Sequence, residues 1–158
     1  LITDTSFLRL YGNTKWVFGM WSGGRLLTRA EAGATLIDNL DSLPASVRYF
    51  AGGDTSVRGY DYNSLGPTDP LGAVVGGENL LVGSVELDQQ IAADWSLAVF
   101  VDSGNAFDAI ADFDPATGVG VGIRWFSPLG PIRFDVAVPL ESDAPDEYRI
   151  HITLGPDL

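Results

Sequence analysis

Strict alternation of apolar and polar residues constrains this chain more than any other feature. It is clearest in Gly118-Val119-Gly120-Val121-Gly122-Ile123-Arg124-Trp125, where Val119, Val121, Ile123 and Trp125 share one face and Gly118, Gly120, Gly122 and Arg124 the other. A period of two belongs to extended strands, whose successive side chains point to opposite sides. Ile132, Phe134, Val136, Val138 and Leu140 oppose Arg133, Asp135, Ala137 and Pro139, and Tyr148, Ile150, Ile152 and Leu154 oppose Arg149, His151 and Thr153. Trp95, Leu97, Val99 and Val101 likewise oppose Ser96, Ala98, Phe100 and Asp102, while Leu81, Val85 and Leu87 oppose Ser84, Glu86, Asp88 and Gln90. The pattern is looser in Leu26, Ala30, Ala32, Ala34 and Leu36 against Arg29, Glu31 and Thr35, and in Leu8, Leu10, Trp16 and Phe18 against Arg9, Tyr11, Asn13 and Lys15. It predicts about seven strands, roughly 5–20, 24–37, 77–92, 94–103, 117–127, 131–140 and 147–155.

Two architectures share such a pattern. In a soluble β-sandwich the apolar face is a core and the polar face meets water. In a transmembrane barrel the apolar face meets lipid and the polar face lines a lumen. Three features favour the barrel. Short turns near Ser22-Gly23-Gly24, Ala92-Ala93 and Ser127-Pro128-Leu129-Gly130 alternate with long connections at about 38–76, 104–116 and 141–146. Trp16, Trp21, Trp95 and Trp125 fall near the short-turn end, as in an interfacial aromatic girdle. Arg124, Arg133, Asp135 and Arg149 share one face across three neighbouring strands, which a lumen tolerates because such charges can pair inside it. The expected fold is therefore all-β: an antiparallel transmembrane β-barrel, of which residues 1–158 form a C-terminal portion of about seven strands with a long inserted loop. The start at Leu1-Ile2-Thr3 already lies in patterned sequence, as in a fragment or mature piece.

Composition excludes several functions. Nine Lys and Arg against 21 Asp and Glu give a net charge of -12, opposite to what a nucleic-acid binder needs. There is no Cys and one His, so thiolate chemistry is absent and a His-rich metal site is not expected. Asp112-Phe113-Asp114 lacks the Glu of a helix-loop-helix calcium loop, and the glycines of 118–122 lack a dinucleotide fingerprint and its helix. His151 has no serine nucleophile in a G-x-S-x-G elbow. No catalytic residue, metal or cofactor is expected. The acidic excess is read as a solvated surface of the outer loops, with ion-bridged lipopolysaccharide as a minor alternative.

The connection at about 38–76 is long for an unstructured loop and carries Phe50, Val57, Tyr60 and Tyr62, which suits a packed insertion. Within it, Val57-Arg58-Gly59-Tyr60 sets one charge between apolar anchors beside a turn-permitting glycine. An arginine folded into a lumen needs acidic partners, and parity puts Glu86 and Asp102 on the polar face.

With these residues in view, the chain resembles the bacterial surface antigen family of outer-membrane assembly and secretion barrels, the BamA/TamA superfamily. Val57-Arg58-Gly59-Tyr60 matches the family's (V/I)RG(F/Y) loop motif, and Phe100-Val101-Asp102-Ser103-Gly104 matches its FxDxG strand motif, in the right order. Within the family the likeness is greatest to the C-terminal barrel half of the TamA branch. It rests on Gly52-Gly53-Asp54, on Gly130-Pro131-Ile132-Arg133-Phe134-Asp135 and on Leu154-Gly155-Pro156-Asp157-Leu158. The resemblance implies strands ten to sixteen of a sixteen-strand barrel that also carries periplasmic POTRA domains. It implies that the loop folds into the lumen, with Glu86, Asp102 and Gly104 as its partners there. It further implies protein insertion or translocation at a Gram-negative outer membrane through a seam that opens between first and last strands, the last edge here being Tyr148, Ile150, Ile152 and Leu154. Partners would be the bilayer and lipopolysaccharide, client outer-membrane proteins, and the remaining barrel or another copy of the chain. A passive pore or two-partner secretion channel, and a soluble β-sandwich binding module, are the alternatives; only the last would purify without detergent.

Overall fold

The computed structural model describes residues 6–37, 43–128, 130–141 and 148–155. The expected strand starts at 5 and 147, residues 38–42 of the long connection, Leu129 in the last short turn, most of the 141–146 connection and the tail 156–158 lie outside the described residues.

Seven strands run in sequence order through one antiparallel sheet: β1 (Leu8–Trp21), β2 (Gly24–Leu36), β3 (Asn79–Ala92), β4 (Trp95–Phe107), β5 (Ala116–Ser127), β6 (Gly130–Pro139) and β7 (Arg149–Leu154). The order is an unbroken meander in which each strand pairs with its chain neighbours, and the sheet does not close on itself. β1 and β7 are its edges. Strands β1–β6 span 10 to 14 residues each, enough to cross a bilayer, for which about 9–11 tilted residues suffice. No helix among the described residues is long and apolar enough to do so.

The two faces separate as the alternation predicts. In β4, Trp95, Leu97, Val99 and Val101 are exposed while Ser96, Ala98, Phe100 and Asp102 are buried. Register carries this across the sheet: Val101 sits beside Val85 and Val119, and Val121 beside Val136, which faces Ile150. The outward face is thus continuous and apolar, with Val121 at 58% exposure and Ile152 at 58%. In water such an area would be an aggregation hazard; facing lipid, it is solvated. The inward face holds the buried ionisable groups.

Three details differ from expectation. β4 continues past 103 to Phe107, so the connection after it is short and contains a single 3-10 turn, Ile110–Asp112. Asn105 extends that strand by donating to the Asp114 carbonyl at 2.7 Å. Trp21, Trp95 and Trp125 do lie at the short-turn end, with Trp95 stacked on Trp125 at 5.8 Å, but Trp16 pairs with Thr28, well along β1. Tyr148 is exposed and precedes β7, so the strand proper begins at Arg149.

The connection between β2 and β3 is folded. A 3-10 turn, Ala45–Val47, is followed by backbone bridges pairing Tyr49 with Gly77, Ala51 with Leu65, and Thr68 with Val74. Tyr49, Ala51 and Val57 then pack with Leu80, Val82 and Ala106 of the adjacent strands, giving the loop an apolar core of its own. That core is why Val57 and Ala51 are fully buried in a segment outside the sheet.

Candidate functional site

The loop lies against the inward face of the sheet and delivers Arg58 into it. The guanidinium donates from Nε to Asp102 Oδ2 at 2.7 Å and from Nη2 to Asp102 Oδ1 at 3.0 Å, a two-pronged contact that only a planar fork can make. Nη1 reaches Glu86 at 2.8 Å and Asp135 at 3.1 Å. The Arg58 backbone N–H also donates to Asp102, at 3.1 Å. Beneath the guanidinium lies the Phe100 ring, 3.3 Å from carbon to centroid. An arginine over an aromatic face gains most when water is excluded, and Arg58 is only 4% exposed.

Burying charges is costly unless they are paired and hydrogen-bonded. Here three guanidinium groups, Arg58, Arg124 and Arg133, face three carboxylates, Glu86, Asp102 and Asp135. Glu86 is the hub: besides Arg58 it accepts from Arg124 at 2.9 Å and Arg133 at 3.0 Å. Arg124 in turn holds Asp135 at 2.5 Å, and Ser84 donates to Asp102 at 2.5 Å. Burial alone would lower the Arg58 pKa, but the hydrogen bonds and charge of Asp102, then Glu86, hold it above the ordinary arginine value. The group stays charged at every accessible pH.

The glycines of β5 make room for this cluster. A Cβ on Gly118 would fall 1.8 Å from the Arg58 carbonyl oxygen, one on Gly120 2.3 Å from the Phe100 ring, and one on Gly122 1.8 Å from Asp135. The stripe is therefore a floor: its first position admits the loop backbone, its second the ring under the guanidinium, its third an ion pair. At the tip, Gly59 has φ +100, and an added Cβ would sit 3.1 Å from the Val138 backbone. Tyr60 then turns outward along β5, donating to Glu141 at 2.9 Å and lying 3.3 Å from the Thr117 carbonyl. Burial and then Glu141 push the Tyr60 hydroxyl up to about 12. Burial opposes ionisation of Glu141, but donors from Thr117 and Tyr60 prevail and hold its carboxyl below the usual range.

Of the predicted site residues, Val57, Arg58, Gly59, Tyr60, Glu86 and Asp102 are brought together. Gly104 is not among the groups bonded to Arg58; a Cβ there would lie 2.3 Å from the Leu81 carbonyl, so this position serves the close pairing of β4 with β3. Ile150, Ile152 and Leu154 point outward from β7 and take no part in the cluster. Ala137, on the polar face by parity, is completely buried beside the cluster, so a large side chain there meets packed structure.

Sequence reasoning missed three members. Asp135 had the right parity but was not paired with Arg58. Phe100 looked like one more apolar residue on the polar face. His151 accepts the Gly59 N–H through Nε2 at 3.1 Å and contacts Asp54 through Nδ1. The signal was present for each, since all three share the parity of Asp102 through the chain of register partners Phe100–Gly120–Ala137 and Gly122–Asp135–His151.

A loop motif pinned by a buried arginine to carboxylates of successive strands, over an outward apolar face, places the chain among known proteins. The Omp85 superfamily domain matches residues 1–157. The chain belongs to the Omp85 superfamily. Among curated proteins, the outer membrane protein assembly factor BamA of Nitratidesulfovibrio vulgaris (strain Hildenborough) is 32% identical over 137 residues, covering 80% of this chain and 17% of that protein. BamA of Neisseria meningitidis serogroup B is 28% identical over an alignment of 181 residues, covering 90% of this chain and 23% of that protein. Among solved structures, BamA from Haemophilus ducreyi lacking POTRA domains 1–3 superposes with a TM-score of 0.76 at 23% identity, over 96% of this chain and 35% of that one. The chain thus spans a minor part of these relatives' length. Its fold and its relatives are those of a Gram-negative outer-membrane β-barrel of the Omp85 superfamily. The narrower likeness to the TamA branch rests on the sequence motifs alone, since these relatives are BamA proteins.

Proposed function

We propose that this segment is the C-terminal part of a barrel that inserts or translocates proteins at the outer membrane. In that barrel the β2–β3 loop fills the lumen and the outer edge of β7 forms one side of a lateral seam. The observation that carries the proposal is the Arg58 cluster. It seats the family's loop motif on the strand motif in a segment whose relatives are outer membrane protein assembly factors. Among the described residues β1 and β7 each lack a partner on one edge, which supports an incomplete barrel, because an open sheet edge in lipid leaves backbone groups unsatisfied at several kcal/mol each. On this reading β1 continues into the remainder of the barrel and β7 offers its edge to an incoming client strand. The partners are the bilayer with its lipopolysaccharide leaflet and unfolded outer-membrane clients. A passive channel is less well supported, since the inward face of β3–β6 is covered by a packed loop over a charge-balanced cluster rather than being an open lining.

The test uses the full-length protein in liposomes. Folding of an added outer-membrane client should accelerate, and a cysteine replacing Ile150 or Ile152 should crosslink to a client strand during folding. Ion conductance with no effect on client folding and no crosslink would favour the passive channel instead.

A further inference from the structure

β7 is held on one side only. It pairs with β6 from Ala137↔Arg149 to Ile132↔Leu154, and among the described residues nothing pairs with its other edge. From its inward face, however, two side chains reach the loop. Arg149 meets Asp61 at 3.1 Å, where both groups are partly solvated. His151 is buried; its Nε2 accepts the Gly59 N–H at 3.1 Å, and its Nδ1 meets the Asp54 carboxylate.

These two contacts define the state of the ring. A nitrogen that accepts a hydrogen bond carries no proton, so the imidazole is neutral with its single proton on Nδ1, pointing at Asp54. Asp54 is thus the residue that selects the tautomer, and Gly59 is the group that reads it. Adding a second proton converts Nε2 into a donor facing another donor. The Asp54 contact survives that change and the Gly59 contact does not.

We propose that His151 is a proton-operated clasp between the last strand and the motif loop: neutral, it ties Gly59 to β7; protonated, it releases Gly59. The released residue directly follows Arg58 and lies at the tip against β6, so the step detaches the loop tip from β7, while Asp54 and the Arg149–Asp61 pair still hold the strand, without breaking the Arg58 cluster. The proton has a path, because the Asp54 side chain is 47% exposed. The charged groups around the ring are Asp54, Arg58 and Asp61 from the loop, Asp135 and Arg133 from β6, Arg124 from β5 behind them, and Arg149 on its own strand. Asp54 and Asp135 attract an imidazolium, while the arginines, already engaged with carboxylates, repel it. The clasp concerns this segment's own geometry and holds whether or not the whole protein inserts clients.

The test is nuclear magnetic resonance on the full-length protein in nanodiscs, labelled with nitrogen-15 histidine and glycine. At about pH 8 the ring should carry its proton on Nδ1, and the Gly59 amide should be protected from exchange. At about pH 5 the Gly59 protection factor should fall about tenfold, the scale of one hydrogen bond. Gly77, whose amide donates to the Tyr49 carbonyl at 2.9 Å, should keep its protection. His151→Gln supplies a non-titrating acceptor and should remove the pH dependence, and His151→Phe should leave Gly59 unprotected at both values. A ring proton on Nε2 at about pH 8, or equal wild-type protection of Gly59 at both pH values, would overturn the clasp; the wild-type titration decides even if His151→Phe fails to fold.

Discussion

β1 and the floor formed by β3–β6 carry the same alternation, yet their inward faces differ completely. Glu86, Asp102, Arg124 and Asp135 on the floor are each at most 3% exposed, whereas β1 is exposed along nearly its whole length. On β1 the inward Tyr11, Asn13 and Lys15 line a cavity shared with Arg29, Asp54 and Thr153. The difference lies in the loop. Tyr49 covers the start of β1, stacking near Tyr11 and donating to the Leu10 carbonyl at 2.5 Å. Beyond that point the loop crosses to β3–β6 and leaves the rest of β1 uncovered. Alternation therefore decides which way a side chain points, and the path of the loop decides whether that direction is buried.

The sharpest way to break the comparison is to empty the floor. Arg58→Ala leaves Asp102, Glu86 and Asp135 short of a partner, and stranding buried charges costs about 3–5 kcal/mol. The folded barrel of the full-length protein should lose that much resistance to urea or heat, measured by gel mobility. Arg58→Lys should recover only part, because an ammonium cannot grip both oxygens of Asp102 and reach Glu86 at once.

Next in size is a charge on the outward face. Val136→Arg on β6 should cost about 2–4 kcal/mol near the bilayer midplane. Its inward control is Asn13→Arg on β1, an exposed position that should shift stability by no more than about 0.5 kcal/mol. Ala137→Arg is no such control, because that site is filled. Equal tolerance at Val136 and Asn13, in the same assay, would remove lipid from the account of the outward face.

Smaller again is the effect of a single methyl group. Gly118→Ala drives a Cβ into the Arg58 carbonyl and should cost about 1–3 kcal/mol. Gly12→Ala on β1 meets nothing within 4 Å and should be close to neutral. Thermal midpoints of the pair read the difference directly.

Much of this was legible in the sequence, and the limits have physical causes. Alternation placed Glu86, Asp102, Arg124 and Asp135 on one face because a strand's side-chain period is two whatever surrounds it. The loop motif named Arg58, since a lone charge between apolar anchors must find a carboxylate once buried. Which carboxylates it meets depends on sheet curvature and the depth of the loop, and neither is encoded locally. Asp135 escaped for that reason, being 77 residues from Arg58. The glycine stripe was visible on one face of its strand, but what approaches it, the Arg58 carbonyl and the Phe100 ring, belongs to other elements. His151 was weighed as a general base because a histidine's chemistry shows in sequence and its hydrogen-bond partners do not.

The smallest effect lies at the rim. Tyr60→Phe removes the bond to Glu141, an exposed partner, and should cost less than about 1 kcal/mol after solvent screening. The folded-state pKa of Glu141 is depressed, so this contribution is present above the ordinary carboxylate range and is lost as pH falls through the depressed value. Wild type and Tyr60→Phe should therefore converge in stability in acid, which denaturation midpoints across pH would show.

The central claim is that Arg58 and Asp102 tie the loop to the floor as one energetic unit. A double-mutant cycle with Arg58→Ala and Asp102→Ala in the full-length protein measures that coupling directly. It should give an interaction energy of about 2–3 kcal/mol, with the double mutant losing much less than the sum of the single losses. A coupling below about 0.5 kcal/mol, the level at which distant sites simply add, would contradict it.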